Sequence, residues 1–154
     1  MSVKQIDPTQ TYETLKQDPN AVYIDVRTDA EFVNGHVPGA VNIAVMSPDP
    51  MSRRMTPNPN FLQAVQTAFP KDRKIICGCQ MGGRSQHAAE LLVQAGYSDV
   101  SNMVGGFGGM RDPNGRVIAP GWSSLGLPVS RENGEGVSYQ SLKQVKSKNA
   151  KEGE

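Results

Sequence analysis

Only two cysteines occur in the 154 residues, Cys77 and Cys79, and a single residue separates them. Two thiols so close along the chain cannot staple distant segments, so a disulfide framework is excluded and the reactivity of a free thiol becomes the question. Histidine is as scarce, with His36 and His87 alone. With the cysteines they make four nominal zinc ligands, but Cys-x-Cys lacks the usual gap of about two to four residues and the histidines are unpaired, so no metal is expected. No apolar run approaches the roughly 20 residues of a membrane span, and Met1 to Asp7 lacks the basic-then-apolar pattern of a secretory signal. A cytoplasmic location without membrane contact is the expectation. Charge of one sign is also missing: sixteen basic residues face fifteen acidic ones, a net +1. No bulk field draws the chain to nucleic acid, and any anion site must be local. There is no Walker loop, and Gly105-Gly106-Phe107-Gly108-Gly109 does not satisfy the dinucleotide fingerprint.

What remains is enough for one domain of about 150 residues with a packed core. Sixteen glycines and eleven prolines, spread without repeat, mark turns rather than low complexity. Short apolar segments alternate with helical ones, the pattern of an α/β sheet. Asp7-Pro8 is an N-cap with proline at the first helical position, opening a helix to about Gln17. Ala21 to Val26 is apolar except for Asp25, as in a strand covered on both faces. Thr28 and Glu31 form a capping box for a short helix. Ala40 to Ala44 reads as a strand. Met46 to Asn60, with four prolines, reads as a long loop in which Arg53-Arg54 could attract an anion.

A second helix is expected from Asn58-Pro59 to about Phe69, a buried strand over Lys74 to Cys79, and a helix from Arg84 or Ser85 to Ala95 with Gly96 as its cap. Val100 to Val104 reads as the last strand, followed by a glycine turn with room for a short helix. Residues 1–129 are expected to form the domain. Residues 130–154 carry few apolar anchors and are expected to be a mobile polar tail.

The informative segment is Cys77-Gly78-Cys79-Gln80-Met81-Gly82-Gly83-Arg84-Ser85, where a strand delivers a cysteine into a loop that closes at a helix start. Backbone N–H groups of such a loop, and the positive end of the helix dipole, converge on one point and stabilise an anion there. If that anion is the Cys79 thiolate, it is held below the free thiol value of about 8.5 and becomes a nucleophile near neutral pH. Arg84 can place a permanent charge beside an anionic substrate. A buried, inert cysteine in a glycine-rich turn is the competing reading, and for Cys77 burial is the favoured one. His87, in the first turn of the helix, is either a base for Cys79 or a solvated side chain. Met46, Met51 and Met81 are either core or an adaptable apolar rim.

Cys79 to Ser85, together with Ile24-Asp25-Val26-Arg27, Glu31-Phe32, Gly35-His36-Val37-Pro38-Gly39-Ala40-Val41-Asn42-Ile43 and Val104-Gly105-Gly106-Phe107, resembles the rhodanese family in order and spacing. The likeness runs from about residue 3 to residue 129 and is nearest to the single-domain sulfurtransferases of bacteria and plants. It implies a rhodanese-like α/β fold with a five-stranded, mainly parallel sheet flanked by helices on both faces, and the cysteine loop at the carboxyl end of the central strand.

For activity, the resemblance implies that Cys79 takes a sulfane sulfur from thiosulfate or a related donor as a persulfide. It then passes the sulfur to a thiophilic acceptor, cyanide in an assay and a thiol in the cell. No cofactor is implied. Gln80, Met81, Gly82, Gly83, Arg84 and Ser85 match the substrate cradle, and Asp25 and Arg27 match an internal ion pair. The implied partners are a small anionic sulfur donor, a thiol acceptor and an acceptor protein.

Phosphatases and arsenate reductases resembling rhodaneses have five residues between cysteine and arginine, whereas this chain has four, which favours sulfur over a tetrahedral oxyanion. A non-enzymatic rhodanese module that binds a partner or stores persulfide is the other alternative. The chain departs from the resemblance after Phe107, where Arg111 to Ser123 intervenes before Leu125-Gly126-Leu127-Pro128-Val129. There Trp122 either restores the usual packing or the insertion alters the rim.

Overall fold

The computed structural model describes residues 2–131. The expectation for the tail falls on 130–154, so all of it beyond residue 131 lies outside the described residues. Five parallel strands form the sheet: β1 (Lys4–Ile6), β2 (Val22–Asp25), β3 (Val41–Asn42), β6 (Lys74–Gly78) and β7 (Asp99–Met103), in the order β1-β7-β6-β2-β3. Every pairing is parallel, so the sheet is wholly rather than mainly so. The cysteine strand β6 lies in the middle, between β2 and β7.

Alternation along these strands divides the core in two. Val22, Ile24, Ile75 and Cys77 face Phe61 and Val65 of α3 (Phe61–Ala68) and Ala88, Ala89 and Leu92 of α4 (Gly83–Gln94). Tyr23 and Ile76 face Tyr12 and Leu15 of α1 (Pro8–Gln17) and Phe32 of α2 (Asp29–Val33). Helices therefore cover both faces. The helix starts obey local chemistry. Asp7 caps α1 in a capping box with Gln10, and Thr28 caps α2 in one with Glu31. Gly96, at φ 103°, ends α4 in the left-handed region.

Three segments differ from the sequence expectation. The edge strand β1 was not anticipated, because Lys4 and Gln5 are exposed and carry no apolar alternation. The loop expected over 46–60 contains an antiparallel hairpin, β4 (Met46–Pro48) and β5 (Met55–Pro57), whose turn is tied by Asp49 accepting from the Ser52 amide at 3.0 Å. The helix after it starts later than Asn58-Pro59, with Asn60 as its cap. After the last strand the chain makes glycine turns without a helix. It then forms a second hairpin, β8 (Met110–Arg111) and β9 (Val117–Ala119), and a 3-10 helix at Ser123–Leu125.

Trp122 ties the Arg111–Ser123 insertion to the core. It is 1% exposed, its Nε1 donates to Pro128 O at 2.6 Å, and its ring meets the edge of Tyr12 at 5.7 Å. The fold's last described pairing is a bridge between His36 and Ser130, while His36 itself stacks on Phe32 at 3.6 Å and bonds Phe32 O through Nδ1. This histidine is structural.

The packing predicts an asymmetry within the insertion. Trp122→Ala should cost about 3–5 kcal/mol in urea unfolding. Ile118→Ala, at a side chain 62% exposed, should change stability by less than about 0.5 kcal/mol.

Candidate active site

Cys79 follows the last residue of β6 at the carboxyl end of the middle strand, where open α/β sheets bind ligands. The residue is 2% exposed, and its sulfur accepts from the Gly82 amide at 3.0 Å. Gly82 is the N-cap of α4, so the thiol sits on the unpaired, positive end of a twelve-residue helix. The geometry depends on a left-handed residue: Gly82 has φ 116°, a conformation that side chains disfavour. Ser85, one turn on, brings its hydroxyl to 3.3 Å from the same sulfur.

The loop is held from outside by the turn after β7. Cys79 O accepts from Phe107 N at 2.7 Å, and Gln80 O accepts from Gly108 N at 3.0 Å. With both carbonyls engaged there, the trans peptides turn the amides of Gln80 and Met81 away from that turn. Contact is so close at Gly106 that a Cβ would stand 2.6 Å from Cys79 O. Only glycine fits.

Below the loop lies the ion pair. Arg27 and Asp25 are 3% and 2% exposed, and Arg27 Nη2 meets Asp25 Oδ2 at 2.8 Å. Arg27 also donates to Gln80 Oε1 at 3.1 Å and Gly35 O at 2.7 Å, and its guanidinium lies 4.7 Å from the centre of the Phe107 ring. Burial acts to lower its pKa, but hydrogen bonding to Asp25 and the charge of that carboxylate outweigh it and raise it, so the guanidinium stays charged.

The cradle residues do not all converge on the sulfur. Gly82 and Ser85 do. Gly83 begins α4 with open space around it. Met81 is 49% exposed, so it is not part of the core. The Gln80 side chain serves Arg27 instead of the cradle, because the ion pair beneath it offers a buried donor. Arg84, expected to stand free beside an anion, gives two of its five N–H donors to Glu31, through Nη1 at 2.8 Å and Nη2 at 3.1 Å. Sequence separation of 53 residues hid that partner. Burial acts to raise the Glu31 pKa, yet hydrogen bonding to Arg84, its charge and bonds from Thr28 bring it from 4.5 to about 2.

The two thiols differ sharply. Cys77, fully buried in the α3/α4 layer, is pushed up to about 12 by burial and then by the neighbouring Cys79. It has no anionic state to offer near neutrality. His87 is exposed on α4, and Arg53, Arg54 and Met51 are exposed on the first hairpin. Asn102, which sequence reasoning missed, lies on β7 with its side-chain oxygen 2.5 Å from Ser85 Oγ. The available signal was a polar pair, Ser101-Asn102, inside an otherwise buried strand.

Residues 7–112 match the Rhodanese-like domain. The chain belongs to the rhodanese family. Thiosulfate sulfurtransferase 16, chloroplastic, of Arabidopsis thaliana is 39% identical over 107 residues, spanning 70% of this chain and 78% of that protein. Thiosulfate sulfurtransferase GlpE of Haemophilus influenzae is 34% identical over 109 residues, spanning 71% of this chain and 89% of that one. Among solved structures, that of Rv0390 from M. tuberculosis superposes with a TM-score of 0.71 at 32% identity, covering 86% of this chain and all of that chain. The rhodanese domain has no helix among the described residues long and apolar enough to cross a membrane.

The Arg84–Glu31 pair predicts a pH signature. A depressed carboxyl stabilises the fold fully above its ordinary pKa of 4.5 and loses that contribution as pH falls toward about 2. Thermal melting of Glu31→Gln should therefore fall less steeply than that of the parent across this acidic window.

Proposed function

We propose that this rhodanese is a sulfurtransferase that carries a sulfane sulfur as a persulfide on Cys79. The observation behind this reading is the seat of the Cys79 sulfur on the Gly82 amide, at the start of α4. In the first half-reaction the Cys79 thiolate attacks the outer sulfur of thiosulfate. The sulfur–sulfur bond of the donor breaks, sulfite leaves with the bonding pair, and a persulfide remains on Cys79. In the second, a thiophilic acceptor attacks the outer sulfur of that persulfide and the thiolate returns. A donor amide and helix dipole at the sulfur favour the anion at the start and end of this cycle. No cofactor is needed, because the cysteine holds the sulfur.

Arg84 is the cation for the sulfonate end of the donor, steadied by Glu31 with three N–H donors still unused in that pair. The four residues between Cys79 and Arg84 close a loop small enough to favour one sulfur atom over a tetrahedral oxyanion. Gly82 and Ser85 stand against the sulfur, and Gln80, Met81 and Gly83 contribute the backbone that completes the loop.

A thiol is the cellular acceptor in this reading, and a protein can present it. The first hairpin follows the carboxyl end of β3 in the chain and the second that of β7, strands that lie on opposite sides of β6 in the sheet. The hairpins expose Met51, Met55, Met110, Val117 and Ile118 beside Arg53, Arg54, Arg111 and Arg116. Such a rim suits an acidic partner with some apolar surface. A reducing, thiol-rich compartment such as the cytoplasm suits the cycle, since it keeps Cys79 a thiol.

Intact mass spectrometry after thiosulfate treatment tests the intermediate. The expected result is a gain of one sulfur atom on Cys79, absent in Cys79→Ser, with thiocyanate formed when cyanide follows. Phosphate release from an aryl phosphate without any thiocyanate would instead assign the loop to oxyanion chemistry. Full biological function of Cys79→Ser would indicate a binding module.

A further inference from the structure

Ser85 carries one proton and has three neighbours for it: Asn102 Oδ1 at 2.5 Å, Gly82 O at 3.2 Å and Cys79 Sγ at 3.3 Å. A separation of 2.5 Å lies in the range of O–H···O bonds and below that of N–H···O bonds, so the oxygen of Asn102 faces Ser85 and takes the proton. Both residues are buried, at 0% and 4% exposure, and water does not compete there.

The orientation of Asn102 is set in turn by a chain of side chains. Asn102 Nδ2 donates to Gln5 Oε1 at 3.0 Å, Gln5 Nε2 to Gln86 Oε1 at 2.6 Å, and Gln86 Nε2 to Glu90 Oε1 at 3.0 Å. Each amide passes the same direction to the next. An ionised carboxylate accepts and never donates, so Glu90 ends the chain in one sense only.

We propose that Asn102 is a positioning residue that turns the Ser85 hydroxyl away from the Cys79 sulfur, in a direction imposed from the surface by Glu90 through Gln86 and Gln5. The inference rests on Cys79 being the reacting thiol. With its proton committed to Asn102, Ser85 presents a lone pair to Sγ. That arrangement accepts the proton of an S–H group and repels a thiolate. In the persulfide the charge moves to the outer sulfur, one atom farther away. The chain therefore disfavours the free thiolate relative to both the thiol and the sulfur-loaded state, lengthening the life of the loaded form. The other ionisable groups gathered about the site are Cys77, Tyr23, Asp25, Arg27, Glu31 and Arg84, and none belongs to the chain.

Glu90→Lys replaces an end that only accepts with one that only donates. Every amide can then reverse, delivering the Ser85 proton to the sulfur. The measurement is the rate of Cys79 alkylation by iodoacetamide across pH, followed by peptide mass, in the full-length chain. It needs no sulfur transfer, so it can fail independently of the persulfide experiment.

The expected result is an acceleration of about three- to tenfold at pH 7, with the pH–rate profile displaced to lower pH, in keeping with the modest net strength of single hydrogen bonds. Gln86→Leu, which interrupts the chain at a half-exposed position, should abolish that acceleration when combined with Glu90→Lys, and 0.5 M salt, on the order of a Debye length of a few ångströms, should not. No acceleration, or one that survives Gln86→Leu or vanishes in salt, would overturn the proposal in favour of a through-space charge effect or none.

Discussion

A guanidinium almost sealed from water supports the cysteine loop. Arg27 takes a carboxylate from the end of β2, an amide oxygen from the loop itself, a backbone carbonyl from the turn after α2 and an aromatic face from the turn after β7. Four segments of the chain that meet nowhere else in sequence are fixed to one planar group. Removing one member of such a buried pair commonly costs about 3–5 kcal/mol, because the survivor is left charged without a partner. The Gly82 amide therefore reaches the sulfur from a rigid base, and little reorganisation is required when charge appears there.

Around that base the site divides its labour between neighbouring residues of one type. Cys77 and Cys79 face the same core layer two residues apart, yet Cys77 pairs in the strand and is pushed up to about 12, while Cys79 has left the pleat for the helix start. Arg27 and Arg84 divide similarly. Arg27 is buried and structural, whereas Arg84 is half-buried at the mouth and balanced by Glu31. Glu31 does double duty, capping α2 and pairing with Arg84, so the short helix and the rim are one mechanical unit.

Much of this was legible in the sequence where short-range rules operate. Asp7-Pro8 and Thr28 with Glu31 mark their helices because capping joins residues three apart. The apolar runs of β2 and β6 reveal strands covered on both sides, and the cysteine motif with its glycines reveals the loop. The resemblance to rhodaneses implied a fifth strand without placing it, and Lys4-Gln5-Ile6 conceals it at an exposed edge. Contacts between distant residues were hidden: Arg84 to Glu31 and Gln80 to Arg27 cross from one sheet connection to another, and Ser85 to Asn102 joins α4 to β7. The two hairpins were hidden for a different reason. Their strands are two or three residues long, Met-Ser-Pro and Met-Thr-Pro in the first and Met-Arg and Val-Ile-Ala in the second, too short for any alternation to announce them.

The central claim is that sulfur rests covalently on Cys79 between two separate half-reactions. Its most direct test is a rapid-mixing measurement of sulfite released from thiosulfate in the absence of any acceptor. The account predicts a burst of one sulfite per chain that then stops, and a second equal burst once cyanide has discharged the enzyme. Sulfite that appears only when donor and acceptor are present together would mean direct transfer between them, and would contradict the account.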